Sequence, residues 1–119
     1  MRYVDGYLLP ILKKNIKAYA RIAKIASKVW RDHGALDYKE CVADDINVKF
    51  GIPFSKNLKL KAGETAVFAY IVFKSRAHRD AVNKKVMKDP RLAACGDPNS
   101  MPFDCKRMVY GGFKGIVDE

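Results

Sequence analysis

An α+β fold, one four-stranded antiparallel sheet carrying two helices on a face, is predicted by three observations in this 119-residue chain. The hydrophobic period alternates between 2 and 3.6 so as to give the order β, α, β, β, α, β. Gly34 and Ser75 stand where the first long helix should end and the second begin. Residues 65–74, TAVFAYIVFK, are the most β-biased segment and are apolar in both alternating rows, as a central strand requires. This order is the split βαβ arrangement of ferredoxin-like folds.

Each element has its own local reason. Residues 2–9, RYVDGYLL, read as the first strand, closed by Pro10, which cannot donate to a sheet ladder. From Lys13 to His33, apolar and small residues recur at Ile16, Tyr19, Ala20, Ala23, Ala26, Ser27 and Trp30, one face of a long helix, with Lys and Arg around the rest. Gly34 supplies the left-handed cap. Residues 35–44, ALDYKECVAD, return to period 2 as a second strand, and 45–64 form a long excursion punctuated by Gly51, Pro53 and Gly63. After the strand at 65–74, Ser75 caps a helix over 75–89 whose inward stripe is Ala77, Ala81, Val82 and Val86. Residues 90–95, PRLAAC, make a short helical piece opened by Pro90, and GDPNSMP a turn. The fourth strand is DCKRMVYGGFKGIV, residues 104–117, with glycines at 111, 112 and 115 that can bend or bulge it.

Composition narrows the class further. With 49% hydrophobic and 30% charged residues the chain is globular, and its length suits one domain spanning 1–119. The apolar run Tyr7 to Leu12 is too short, and too early broken by Pro10, for a targeting or membrane segment. Three cysteines without CxxC spacing point to reduced thiols and a cytoplasmic setting. A net charge of +10 favours polyanions at long range, but the lysines are spread over every segment and no run of five or six like charges occurs, which argues against a nucleic-acid interface.

Strand three carries Val67, Ala69, Ile71 and Phe73 in one row and Phe68, Tyr70 and Val72 in the other, and the fourth strand is similarly two-sided. Two helices cover one face of such a sheet. The second face therefore calls for a partner, and a homodimer packed sheet to sheet is expected.

The stretches YVDGYLLP, WRDHGALDYKECVADD, ETAVFAYIVFKSRAHRDAVNKKVMKDPRL and MPFDCKRMVYGGF resemble a family of small bacterial proteins, the YbaA-like family, known only as a domain of unknown function. The resemblance spans nearly the whole chain and implies a dimeric α/β barrel, in which two ferredoxin-like protomers face their sheets together. It implies no catalytic residues, since that superfamily spreads over cofactor-free monooxygenases, haem-degrading enzymes, isomerases and stress proteins.

Candidate residues rest on the sequence itself. The segment WRDHGALDYKE, 30–40, gathers His33, Asp37 and Glu40, but strand alternation sends Asp37 to one face with Lys39 and Cys41, and Glu40 to the other with Tyr38. A metal site is not expected there, and no HExxH, HxH or paired-cysteine spacing occurs elsewhere. No cofactor is assigned. Glu40, the ionisable group in an apolar row, must be hydrogen-bonded, paired, or poised for proton transfer. Asp5 poses the same question in the row of Tyr3, Tyr7 and Leu9, with Arg107 as its expected partner. In SRAHRD, the residues Arg76, His78 and Arg79 place cations at a helix N-terminus, an arrangement able to hold a carboxylate or phosphate, or else neutralised by Asp80. Tyr7, Tyr19, Trp30, Tyr38, Tyr70 and Tyr110 fall on faces read as inward, able to line a cavity or simply to pack. The sequence thus predicts a homodimer binding a small anionic or aromatic molecule between helices and sheet, with Glu40 and His78 as catalytic candidates. The ligand-contact candidates are Asp5, Tyr7, Tyr38, Tyr70, Arg76, Arg79, Arg107 and Tyr110. The alternative is a non-catalytic interaction or stress-response dimer, drawn to polyanions by its charge.

Overall fold

The computed structural model describes residues 1–93, 95 and 101–119. Strand β1 (Tyr3–Leu12) leads through a 3-10 turn (Lys13–Asn15) into helix α1 (Ile16–Asp32) and strand β2 (Asp37–Val42). A one-turn helix α2 (Phe54–Asn57) interrupts the excursion before strand β3 (Glu64–Phe73), helix α3 (Arg76–Val86) and the one-turn helix α4 (Pro90–Ala93). A 3-10 turn (Cys105–Arg107) precedes strand β4 (Val109–Lys114). The four strands form one antiparallel sheet in the order β2-β3-β1-β4, the ferredoxin-like arrangement, and within this chain the sheet is open rather than closed into a barrel.

Three boundaries differ from the sequence reading. Strand β1 does not stop at Pro10 but pairs with β3 as far as Leu12. The Lys13 amide donates to the Gly63 carbonyl, so hydrogen-bonded pairs with β3 fall on odd residues and the nitrogen of Pro10 faces the other way. On that side β4 reaches only to the Leu8–Val109 pair, so Pro10 removes no ladder bond. Second, residues 104–108 are not strand: the Asp104 side chain caps the Lys106 amide and folds DCKR into the 3-10 turn. Third, β4 runs unbulged through Gly111 and Gly112, which pair with Gly6 and Asp5. Gly112 is required there because the Tyr3 ring lies over its backbone, where a Cβ would overlap it. The expected turn GDPNSMP lies largely outside the described residues.

The core occupies the space between the sheet and its helices. Val29, Ala35, Ile71, Phe73, Val82 and Val86 form one buried cluster, and Leu9, Ile11 and Val67 a second. Helix α3 presents Val82 and Val86 inward as expected, but Ala77 and Ala81 are exposed, since the inward line runs through buried Val82 and Val86 and half-buried His78, Arg79 and Asn83. Along α1 the buried residues are Ala23, Ala26 and Val29, whereas Ala20 is exposed on the wall of a cavity. Gly34, with φ +115°, ends α1 as its sequence requires.

The two sheet faces differ sharply. Val67, Ala69, Ile71 and Phe73 are buried beneath the helices, while Phe68 on the opposite face is 47% exposed. With Val4, Leu8, Tyr70, Val72, Val109 and Phe113 it forms an uncovered apolar surface.

Candidate functional site

Small side chains on the inward face of α1 leave space above the sheet. Ala20, Ala23 and Ser27 do not reach β2, and a cavity of about 360 Å³ remains, floored by Tyr38, Glu40 and Val67. A deeper cavity of about 180 Å³ adjoins it; Tyr19, Ala23, Tyr38 and Glu40 line both. Trp30, Phe103 and Met108 also line the deeper space.

Glu40 stands at this junction. Strand alternation puts it on the helix side with Tyr38, and opposite Ala69 of β3. Its two oxygens accept one hydroxyl each: Tyr19 donates to Oε1 at 2.6 Å and Tyr38 to Oε2 at 2.7 Å. Such lengths are those of charge-assisted bonds. Burial, and next the charge of Glu40, push both tyrosine hydroxyls well above the ordinary phenol range. Tyr19 and Tyr38 therefore keep their protons and remain donors.

Asp5, 3% exposed, solves the same problem differently. Its carboxylate accepts from the Arg79 guanidinium at 2.7 Å, and Arg79 also lies over the Tyr3 ring, 4.9 Å from its centroid. Burial raises the pKa of Asp5 above the ordinary value, and Arg79 opposes that rise. The expected partner Arg107 is elsewhere: it forks onto Glu64 at 2.7 and 3.1 Å and donates to the carbonyls of Leu58 and Lys59. The reason is register, because Arg107 lies beyond the Leu8–Val109 pair, at the end of β1 remote from Asp5.

The start of α3 holds its own donors. Ser75 Oγ accepts from the His78 amide, His78 Nδ1 accepts from the Lys74 amide, and Arg79 reaches Asp80 as well as Asp5. The neutralised reading of SRAHRD is thus the one realised for Arg79, and Arg76 is exposed on the first turn. His78 lines neither cavity beneath α1; its ring stands edge-on to Phe73. His33, read as a helix-end residue, bonds Asp89 at 2.8 Å, and Arg91 joins Asp89 to Asp32.

The aromatic set divides. Tyr7, Tyr19, Trp30 and Tyr38 line the inner cavities, and burial pushes the Tyr7 hydroxyl up to about 12. Tyr110 stacks on Tyr7 at 5.8 Å but is 69% exposed at the edge strand. Tyr70 sits on the opposite, uncovered face beside Phe68. Among the described residues no group of three His, Cys, Asp or Glu side chains is placed to hold a metal ion, and no helix is long and apolar enough to cross a membrane. The residue that sequence reasoning undervalued is Tyr19, read as one of several inward aromatics; its signal was the run of small residues Ala20, Ala23 and Ser27 beside it on the same helix.

A family model described as a protein of unknown function, DUF1428, matches residues 2–105. The chain belongs to the DUF1428 family. Within this relationship it is 40% identical to the uncharacterized protein YbaA of Escherichia coli K12 over 119 residues, all of both chains, and equally to YbaA of Shigella flexneri. Two solved structures share the DUF1428 chain's fold at 11% identity. One is an uncharacterized NIPSNAP domain protein from Burkholderia xenovorans, with a TM-score of 0.57 over 98% of this chain and 99% of that one. The other is a dimeric ferredoxin-like protein from an uncultured marine organism, with a TM-score of 0.55 over 99% and 98%.

Proposed function

We propose that this DUF1428 protein binds a small organic molecule in the cavity between α1 and the sheet, as a homodimer joined through its open sheet face in a reducing, cytoplasmic setting. The observation that carries the reading is the Tyr19–Glu40–Tyr38 unit, a fixed polar group at the meeting point of two largely apolar cavities. Concave apolar space with a few convergent polar groups is the common form of ligand sites. The uncovered row from Val4 to Phe113 supports the dimer, as does the dimeric state of the ferredoxin-like structure it resembles. On this reading Glu40, Tyr19, Tyr38 and Tyr7 contact the ligand, and His78, Arg76 and Arg107 do not.

A thermal-shift screen of metabolites, run in parallel on the native chain and on Ala20→Phe, tests the cavity. Ala20 is exposed on its wall, so phenylalanine there should fill the space without displacing core. Ligands that stabilise the native chain and not the variant support the reading. Hits that stabilise both equally refute the location.

A further inference from the structure

The hydroxyls on the wall of the α1 cavity have spent their protons. Tyr19 and Tyr38 each have one hydroxyl hydrogen, and both are given to Glu40. Ser27 also lines the cavity, and its hydroxyl donates to the Lys24 carbonyl. What these groups turn toward the cavity is therefore lone pairs: the remaining acceptor sites of the carboxylate and of three hydroxyl oxygens.

The charge is also unmatched. No Lys, Arg or His lies within ion-pair distance of Glu40 among the described residues, and the others, Ala94 and 96–100, include no basic residue. Asp5, on the same sheet face, has Arg79 at 2.7 Å. The basic residue on the cavity lining, Lys24, is exposed to solvent. A carboxylate is stabilised by a cation with hydrogen-bond donors, whereas an anion brought beside Glu40 loses hydration and meets the acceptor oxygens of Glu40, Tyr19 and Tyr38. The net charge of +10 acts at longer range and is screened over about 10 Å at 0.1 M salt.

We infer that the cavity selects a small molecule with a cationic donor head, a primary ammonium or amidinium, on an apolar body, its head seated on Glu40 between Tyr19 and Tyr38. This inference rests on the cavity reading above and specifies its ligand class. It differs from the small anion expected from sequence: Arg79 and the His78 amide have protein partners, and neither residue lines the cavity.

Three ring compounds that differ in the head alone provide the test: benzylamine, benzyl alcohol and benzoate, titrated into the isotopically labelled native chain and followed by backbone NMR. Benzylamine is expected to shift amides of residues 19–27 and 38–42 saturably, with benzyl alcohol about tenfold weaker or more, and benzoate weaker still. In Glu40→Gln, benzylamine should fall to the level of the alcohol. Should that variant not fold, Glu40→Asp keeps the charge and should keep the order ammonium, alcohol, carboxylate. Equal or tighter binding of benzoate or the alcohol at the same amides overturns the inference while leaving the cavity reading intact, as does an unchanged preference in Glu40→Gln. Absence of binding by all three probes at about 10 mM overturns the ammonium head; the Ala20→Phe screen then decides the cavity independently.

Discussion

Replacing Phe68 should separate the protomers of the proposed dimer without unfolding them. The side chain is 47% exposed on the uncovered sheet face, so roughly 90 Å² of a phenylalanine surface remains for a partner to cover. At about 25 cal/mol per Å² that burial contributes about 2 kcal/mol per protomer. In a two-fold interface each residue acts twice, so Phe68→Ala should weaken dimerisation by roughly 4–5 kcal/mol, about three powers of ten in Kd. Phe68→Lys should weaken it further by leaving an unpaired charge at the interface. Because the ring stands outside both buried clusters, far-UV circular dichroism and the urea midpoint of the isolated protomer should change little. Sedimentation velocity over a concentration series reads the Kd directly. A native chain that sediments as a monomer throughout, or a Phe68→Lys chain that dimerises as tightly as the native one, refutes sheet-to-sheet assembly.

The remaining predictions concern the protomer. Phe73 is fully buried between the sheet and α3, so Phe73→Ala should cost about 3–5 kcal/mol, seen as a fall in the urea midpoint at constant m-value. Gly34 has φ +115° with His78 Nε2 3.4 Å from where a Cβ would lie, so Gly34→Ala should lose about 1–2 kcal/mol, read the same way. Hydrogen bonds from Arg91 and His33 hold Asp89 below its ordinary 3.8, so its stabilisation is present above pH 3.8 and is lost as pH falls below that value; the stability gap between native and Asp89→Asn should close over that window in urea titrations. Asp5 should show the opposite slope, because burial raises its folded pKa above 3.8. Its favourable contribution holds below 3.8 and is lost as pH rises through the raised value, so Asp5→Asn should gain on the native chain over that rise.

Where a signal was local, the sequence disclosed it. Gly34 and Ser75 bound their helices as written because a left-handed cap and a side-chain cap need only neighbouring residues. The two apolar rows of β3 identified the central strand and the face in want of a cover. What depends on distant register was hidden. Pro10 looks like a strand end until β4 is found to stop short of it, and Asp104 looks like strand until its carboxylate is found capping Lys106. The arginine that meets Asp5 could not be chosen from composition, since Arg79 and Arg107 differ only in where the folded chain carries them. Glu40 was legible as an anomaly in its row. Its partners were not, because a hydroxyl from the preceding helix, 21 residues away, provides half of them.

Asp5 and Glu40 make a controlled pair within one molecule. Both are acids on the helix side of one sheet with a tyrosine two residues before them in the strand; Asp5 is buried beneath the helices, and Glu40 is half-buried at the cavity. Asp5 is closed: an arginine fixed by Tyr3 and Asp80 fills its acceptor face, and its surroundings are packed. Glu40 is met by neutral donors, and beside it the helix presents alanines and a serine where Asp5 faces Arg79. A fold that needed only to bury Glu40 could have brought a cation to it as it does for Asp5. Keeping the carboxylate oriented by two hydroxyls, without countercharge and beside a cavity, is the arrangement that the proposed cationic head would complete.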